Sequence, residues 1–302
     1  MSTRTGTASK FIGLTAAAAL ALTACGGGDD AAENGDAAES SGTITLGIIP
    51  SWTDGLSMAY LWQAILEDEG YEVEIEEIND AAPLYTGVAQ GDLDVYPSAW
   101  PEVTHAEYME EYGDDLEDLG AYYEGAVLTL AVPAYTEIDS IEELPENAED
   151  FNGQVIGIEP GSGHMGVTAN DVFPAYELDA DFELVESSTA AMLTELGSAI
   201  DAEEDIVVTL WRPFYAYGDF DLKDLEDPEG ALGEPETLNF IANSEFSGEF
   251  PDVAEWMGNF TLSDEEYAEL EDMMVNEYAD NEEEGAAAWM EDNAELIDSL
   301  KE

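Results

Sequence analysis

The chain has 302 residues, 45% of them hydrophobic, which is enough to build a sizeable folded core. Its 72 aspartates and glutamates against 5 lysines and arginines give a formal net charge of −67 at pH 7. A surface with this charge repels nucleic acid backbones and anionic membrane surfaces, so the composition excludes both as partners.

The first 24 residues have the arrangement of a secretory signal peptide. Basic residues near the N-terminus precede a hydrophobic run over residues 11–22, and small residues follow it. At about 12 residues this run is too short to span a bilayer, which takes about 20. Cys25, the only cysteine, comes directly after a Leu-Thr-Ala sequence, and this arrangement resembles the bacterial lipobox. We therefore expect residues 1–24 to be removed and Cys25 to carry a lipid.

Residues 25–42 are predicted to form a flexible tether. After the cysteine the segment consists mostly of glycine, alanine, serine and acidic residues, and it lacks large hydrophobic side chains. Such a composition buries too little hydrophobic surface to fold, and repulsion between its carboxylates extends it. The lipid and the tether together would hold a folded body close to the membrane.

Short strands and helices alternate from Thr43 onward. Compact hydrophobic or period-two patterns predict strands, and hydrophobic residues at helical spacing predict helices. The predicted strands cover residues 43–50, 71–78, 93–97, 126–132, 155–158, 182–185 and 206–210. The predicted helices include residues 56–69, 83–90, 263–278 and 282–300. This order predicts an α/β fold, and about 260 ordered residues suit two lobes better than one core.

The sequence contains no strong catalytic or metal-binding motif. With so many carboxylates, a pair at any spacing carries no information about glycosidase chemistry. The two histidines, His105 and His164, are far apart in the sequence and have no cysteine partner, which argues against a zinc site. Gly161-Ser162-Gly163 lacks the outer glycines of a nucleophile elbow, and no glycine-rich phosphate loop with lysine is found. We predict neither an enzyme nor a cofactor.

Tryptophans mark the ends of three predicted strands. Trp52, Trp100 and Trp211 each follow a strand by one or a few residues. In open α/β sheets, ligands bind in the crevice beyond the carboxyl ends of the strands, so this placement predicts a ligand cleft. Trp62 and Trp289 lie inside amphipathic helices instead, where we expect them to pack in the core.

Several short motifs, taken in order, resemble a known family. They are Trp52-Thr53-Asp54, Tyr85-Thr86-Gly87, Gly91-Asp92-Leu93-Asp94-Val95, Ala99-Trp100-Pro101, Gly157-Ile158-Glu159-Pro160-Gly161, Glu186-Ser187-Ser188, Trp211-Arg212-Pro213 and Leu225-Glu226-Asp227-Pro228. Together they resemble the glycine betaine and choline substrate-binding proteins of ABC importers, over residues 43–300. The resemblance implies a two-lobed, type II periplasmic-binding-protein fold with a ligand cleft between the lobes. The first lobe would comprise residues 43–131 and 233–302, and the second residues 132–232.

The resemblance also assigns residues to a quaternary ammonium site. A quaternary ammonium group has no N–H to donate, so aromatic faces match its diffuse charge best, at up to about 2 kcal/mol per ring when desolvated. By resemblance, Trp100 and Trp211 form two walls of the site. Trp256 matches the third wall of the glycine betaine members, and Trp52 matches a wall of the choline members.

The other end of the ligand leaves two alternatives open. The carboxylate of glycine betaine would meet backbone amides near Gly55 and Leu56, at the positive end of a helix dipole. By resemblance, Thr261 stands where the family has a histidine donor. Asp54 would accept a hydrogen bond from the hydroxyl of choline and repel a carboxylate, unless it caps the helix.

We expect a lipid-anchored, monomeric binding protein on the outer face of the cell membrane. Its partners, by resemblance, are an ABC permease and an ATPase subunit. Glycine betaine uptake for osmoprotection would fit the acidic composition, because about 1 M salt shortens the Debye length to about 3 Å and screens the repulsion. A choline-binding importer component is the alternative within this class. An extracellular enzyme acting on a cationic substrate is the alternative outside it.

Overall fold

The structure is a computed structural model that describes residues 41–301. Cys25 and the predicted signal peptide, residues 1–24, lie outside the described residues, as does most of the predicted tether. Within the described part of the chain, no helix combines the length and the hydrophobicity that crossing a membrane requires.

Residues 41–301 form nine strands that belong to one mixed sheet. The strands are β1 (Thr43–Ile48), β2 (Glu72–Glu77), β3 (Val95–Ala99), β4 (Leu116–Pro133), β5 (Gln154–Ile156), β6 (Glu183–Val185), β7 (Val207–Arg212), β8 (Leu222–Asp224) and β9 (Glu236–Asn243).

Helices connect the strands and dominate the C-terminal part of the chain. They are α1 (Thr53–Asp68), α2 (Ala81–Gln90), α3 (Ala106–Tyr112), α4 (Gly163–Val167), α5 (Phe173–Ala175), α6 (Thr189–Ala202), α7 (Ala216–Asp219), α8 (Phe246–Glu249), α9 (Pro251–Asn259), α10 (Asp264–Asp272), α11 (Glu282–Asp292) and α12 (Ala294–Ser299). Two π-helical segments, Thr168–Val172 and Met273–Glu277, continue α4 and α10. The 3₁₀ turns are Ile141–Glu143, Pro145–Asn147 and Leu178–Ala180.

The strand order is β2-β1-β3-β9-β4-β7-β5-β6, with β8 paired to the end of β4. β1 runs parallel to β2 and β3, whereas β9 lies antiparallel between β3 and the beginning of β4. The end of β4 pairs antiparallel with β7, and β5 runs parallel to both β6 and β7. β4 therefore joins two halves of the sheet. We call β2, β1, β3, β9 and the elements packed on them the first half, and β5 to β8 with α4 to α7 the second half.

The α/β fold class is confirmed, and each predicted strand overlaps an observed one. The sequence patterns missed β8, β9 and the beginning of β4, which starts at Leu116 rather than at residue 126. Three register shifts interrupt the pairing of β4 with β9, and Gly120 and Gly125 have positive φ. Bulges of this kind break the alternation of buried and exposed residues, so the period-two signal is lost there. β9 is buried on both faces and shows no alternation.

The core of the first half forms around α1. Met58, Leu61 and Trp62 on this helix are fully buried. The Trp62 ring packs edge-on against Phe240 and Phe260, at centroid distances of 5.4 and 5.6 Å. Full burial of each such side chain contributes about 1.5–3 kcal/mol, so this contact fixes α1 on the sheet and sets the position of its first turn.

Candidate functional site

A small cavity, open to solvent, lies where the two halves of the sheet meet. Trp52, Trp100 and Trp211 form part of its wall, together with Asp54 and residues of the segment before α4. β1 and β3 are parallel neighbours, so their carboxyl ends bring Trp52 and Trp100 to the same edge of the sheet. Trp211 reaches the cavity from β7.

The three tryptophans are almost completely buried, with exposed fractions of 7, 4 and 5% in chain order. Trp100 directly follows β3, and its backbone N–H donates to His105 Nδ1 at 3.0 Å. The His105 ring in turn stacks on Trp52 at a centroid distance of 6.1 Å. Trp211 is braced by Phe214, whose ring centroid is 4.1 Å away. These contacts hold the indoles in place.

Asp54 is the acidic side chain of the cavity wall, and only 3% of it is exposed. Its Oδ2 accepts hydrogen bonds from Ser98 Oγ at 2.7 Å and from Trp100 Nε1 at 3.2 Å. Burial raises the pKa of this carboxyl, while the bonds from Ser98 and Trp100 act in the opposite direction. Oδ1 is buried and has no hydrogen-bond partner among the described residues. A ligand donor or cation would therefore find an unoccupied acceptor here.

The structure places Asp54 in the cavity wall. The residue at the N-cap of α1 is Trp52, and no side chain caps the helix. Asp54 is the second residue of α1 and lines the cavity. Of the two amides expected to meet a ligand carboxylate, that of Leu56 donates to Trp52 O at 3.2 Å.

The structure does not bring Trp256 and Thr261 to the cavity. Trp256 lies on α9, with its ring centroid 5.8 Å from Lys301 Nζ, and Lys301 forms an ion pair with Glu69 just after α1. A helix of 16 residues is about 24 Å long, and the cavity lies at its opposite end. Thr261 follows α9 and is exposed. The third tryptophan of this cavity is therefore Trp52.

Both histidines line the cavity and are neutral. Burial lowers the pKa of His105 to about 3 and that of His164 to about 4. His164 Nε2 lies 2.9 Å from Leu210 O and 3.1 Å from Thr129 O, while Nδ1 is 3.2 Å from Thr168 Oγ1. No lysine or arginine lines the cavity, and no group of three potential metal ligands occurs among the described residues. The aromatic wall and the carboxyl group of Asp54 suit a compact cation.

By resemblance, Ser162 stands where some distant relatives have an aromatic residue of the site, and it does line the cavity, whereas sequence reasoning did not assign Thr104 and Gly163 to this wall. Ser162 Oγ accepts from Met165 N at 3.3 Å and so caps α4. The available signal was the position of the Gly161-Ser162-Gly163 segment, which follows a short strand at the same edge of the sheet as the tryptophans.

Comparisons with known proteins point to one family. A family model described as OpuAC, the substrate binding domain of ABC-type glycine betaine transport system, matches residues 42–292. The chain is also similar to the glycine betaine/carnitine transport binding protein GbuC of Listeria monocytogenes, with 34% identity over 172 residues. That alignment covers 57% of the chain and 56% of GbuC, so the chain matches little more than half the length of this relative.

Solved structures match the fold over most of the chain. ProX of Borrelia burgdorferi, a glycine betaine and L-proline binding protein, is 29% identical with a TM-score of 0.79, and the match covers 84% of this chain and 95% of ProX. Lactococcal OpuAC in complex with glycine betaine is 29% identical with a TM-score of 0.80, over 86% and 99% of the two chains. An ABC-transporter choline binding protein in complex with choline is 25% identical with a TM-score of 0.77, over 85% and 91%.

Proposed function

The chain belongs to the family of substrate-binding domains of ABC-type glycine betaine transport systems, and on this premise we propose that it captures a quaternary ammonium compound for an ABC importer. The observation that supports the proposal is the wall of the cavity. Three indoles surround the space, and the partnerless Oδ1 of Asp54 supplies negative charge.

The physics of such a ligand fits this wall. Each indole face attracts a desolvated cation by up to about 2 kcal/mol, and three faces together also exclude water. The histidines add no competing positive charge because both are neutral at physiological pH. Arg212 is directed away from the cavity, since its guanidinium lies 3.4 Å from the Tyr217 ring centroid and pairs with Asp224.

Glycine betaine is the first proposed ligand. The descriptions of the matching family model and of two solved relatives name this compound. Uptake of a compatible solute also fits the net charge of −67, because a surface this acidic suits a salty environment in which a cell needs such solutes. Growth at high salt with betaine supplied should then depend on this protein, and equal growth of a strain that lacks it would argue against osmoprotection.

Choline is a second candidate, and one specific observation favours it. The hydroxyl of choline can donate a hydrogen bond to Asp54 Oδ1, whereas the carboxylate of glycine betaine cannot. Trp211 Nε1 is also buried, has no hydrogen-bond partner within residues 41–301, and could donate to either ligand. The amide of Leu56, one of the two expected to receive a carboxylate, already donates to Trp52 O.

The remaining parts of the proposal concern organisation and partners. We propose that residues 43–131 and 233–302 form one lobe and that residues 132–232 form the other. The protein would be a monomer, and its two lobes would dock on a permease linked to an ATPase. Lipidation at Cys25 and the tether of residues 25–42 would keep the protein on the outer face of the membrane.

An extracellular enzyme is disfavoured by the arrangement of the polar groups. Ser162 is occupied as the cap of α4, and His164 is bonded to backbone carbonyls and Thr168. The cavity therefore holds no nucleophile activated by a base. Recovery of chemically unchanged ligand after incubation with the protein would support binding without catalysis.

Calorimetric titration of the full chain with glycine betaine and then choline tests the proposed ligand class. The buffer should contain about 1 M salt, so that the surface charge is screened. Saturable binding of at least one compound, with quenching of tryptophan fluorescence, is the expected result. Absence of binding for both would refute the proposed ligand class, and their relative affinities would decide between the two candidates.

A further inference from the structure

The carboxylate of Glu159 connects the two halves of the molecule beside the ligand cavity. Its Oε1 accepts from Ser51 Oγ at 3.1 Å and from the backbone N–H of Thr189 at 3.0 Å. Its Oε2 accepts from Trp52 Nε1 at 3.2 Å and from Thr189 Oγ1 at 2.8 Å. Ser51 and Trp52 belong to the connection from β1 to α1, and Thr189 is the first residue of α6. One side chain thus accepts two bonds from each half.

The segment that carries Glu159 is also the place where the halves touch at the cavity. Tyr108 Oη donates to Gly161 O at 2.9 Å. A Cβ added to Gly163 would lie only 1.7 Å from Thr104 O, so the two backbones are in direct contact there. Ser162 and Gly163 of this segment line the cavity. The contacts of residues 159–163 with the first half can exist only while the two halves are together.

We propose that Glu159 is a positioning residue that fixes the Trp52 indole against the ligand when the halves come together, and that it thereby sets how long a ligand stays bound. The proposal rests on the proposed function for the ligand itself. It is independent of whether that ligand is glycine betaine or choline, since Glu159 contacts the outer edge of the indole through Nε1.

The chemistry of the four bonds explains why a carboxylate is needed. An ionised carboxylate has about four acceptor positions and no donor, and the four donors described above use that capacity. The N-terminus of α6 also favours a negative charge, because backbone N–H groups and the helix dipole point toward it. A glutamine in this place would direct an NH₂ group at two of the four donors; of these two, the hydroxyl can turn to accept but the N–H cannot, so at least one bond would be lost.

The effect is expected on dissociation rather than on association. Ligand encounter precedes closure, so the contacts of Glu159 are absent when the association rate is decided, whereas dissociation requires them to break. In stopped-flow tryptophan fluorescence with glycine betaine and with choline, Glu159→Gln should raise the dissociation rate constant by about tenfold while the association rate constant stays within about twofold. Glu186→Gln, an exposed glutamate on the same half, removes the same charge and should change neither rate.

Two further measurements separate positioning from a general loss of stability. Glu159→Asp keeps the charge but draws the carboxylate back by one methylene, and it should also speed dissociation, which provides a second variant if Glu159→Gln folds poorly. In a Trp52→Phe background the indole donor is gone, so Glu159→Gln should then change dissociation by clearly less than in the wild-type background. An equal effect in both backgrounds would overturn the proposal, as would an unchanged dissociation rate in both Glu159 variants.

The indole N–H resonance of Trp52, assigned from its loss in Trp52→Phe, gives a second readout in protein saturated with ligand, where the halves are together. It should move in Glu159→Gln and stay in place in Glu186→Gln. If the wild-type protein binds neither compound, the proposed ligand class fails, and the role of Glu159 in retaining that ligand falls with it. If the ligand binds but the resonance does not move in Glu159→Gln, the contact of Glu159 with Trp52 is overturned while the ligand class stands.

Discussion

Replacing Asp54 with asparagine should separate the two candidate ligands. Asparagine keeps an oxygen that can accept from Ser98 Oγ and Trp100 Nε1, so the shape of the cavity wall is retained. The charge and the partnerless Oδ1 acceptor are lost. A hydrogen bond to a charged group contributes about 1.5–3 kcal/mol, which corresponds to about 10- to 100-fold in affinity for choline. Glycine betaine should bind as well as before or more tightly, because the repulsion of its carboxylate disappears.

Calorimetry with both compounds provides the measurement, and thermal unfolding provides the control for folding. Because burial raises the pKa of Asp54, the folded state disfavours the ionised form, and Asp54→Asn should not lower the melting temperature at neutral pH. Asp252→Asn, an exposed aspartate of α9, serves as the matched variant and should alter neither affinity. Equal weakening of both ligands by Asp54→Asn would refute the role of its charge in selecting the ligand.

Three other predictions concern the aromatic wall, a buried glutamate and the surface charge. Trp211→Ala should lower ligand affinity by about 10- to 30-fold through the loss of one cation–π contact. Trp256→Ala should leave the affinity unchanged in the same titration. A comparable loss of affinity for Trp256→Ala would place that ring in the site. Glu271 is buried against Thr53, and burial raises its pKa to about 8, so the free energy of unfolding should fall as pH rises from about 4.5 through about 8. Glu271→Gln should reduce this fall in thermal unfolding scans, and an unchanged pH profile would exclude Glu271 as its source. Lowering the salt concentration from about 1 M to about 0.1 M lengthens the Debye length from about 3 Å to about 10 Å, so the melting temperature should fall because the surface carboxylates repel each other more strongly. An unchanged melting temperature would contradict the role of charge screening.

The sequence allowed much of the first half to be predicted, because its parallel strands are short hydrophobic or period-two segments separated by clear helices. Placing Trp52, Trp100 and Trp211 at strand ends required only this strand assignment and the rule for open α/β sheets. Strands with bulges or with two buried faces, such as β4 and β9, gave no periodic signal. Pattern reasoning therefore found the edge of the sheet where the cavity lies but not the full pairing behind it.

The third wall could not be predicted, because it depends on where a C-terminal helix docks. By resemblance, Trp256 on α9 matches the third aromatic wall of the site. In the structure its ring lies near Lys301, and the ion pair of Lys301 with Glu69 places this part of the chain at the far end of α1. The role of Glu159 could not be predicted from the sequence either. Its partners, Ser51, Trp52 and Thr189, are distant in sequence, and an acidic residue among 72 has no distinguishing local pattern.

The central position of β9 determines the order in which this chain can fold. Residues 236–243 insert between β3 and the beginning of β4, which lie more than one hundred residues earlier in the chain. Until that late segment is available, both neighbouring strands keep an unpaired edge, and such edges invite pairing with other chains. Pairing over so long a separation is also intrinsically slow. The first half therefore reaches its native sheet only when nearly the whole chain is present, and a product that stops before residue 236 should aggregate rather than fold partway.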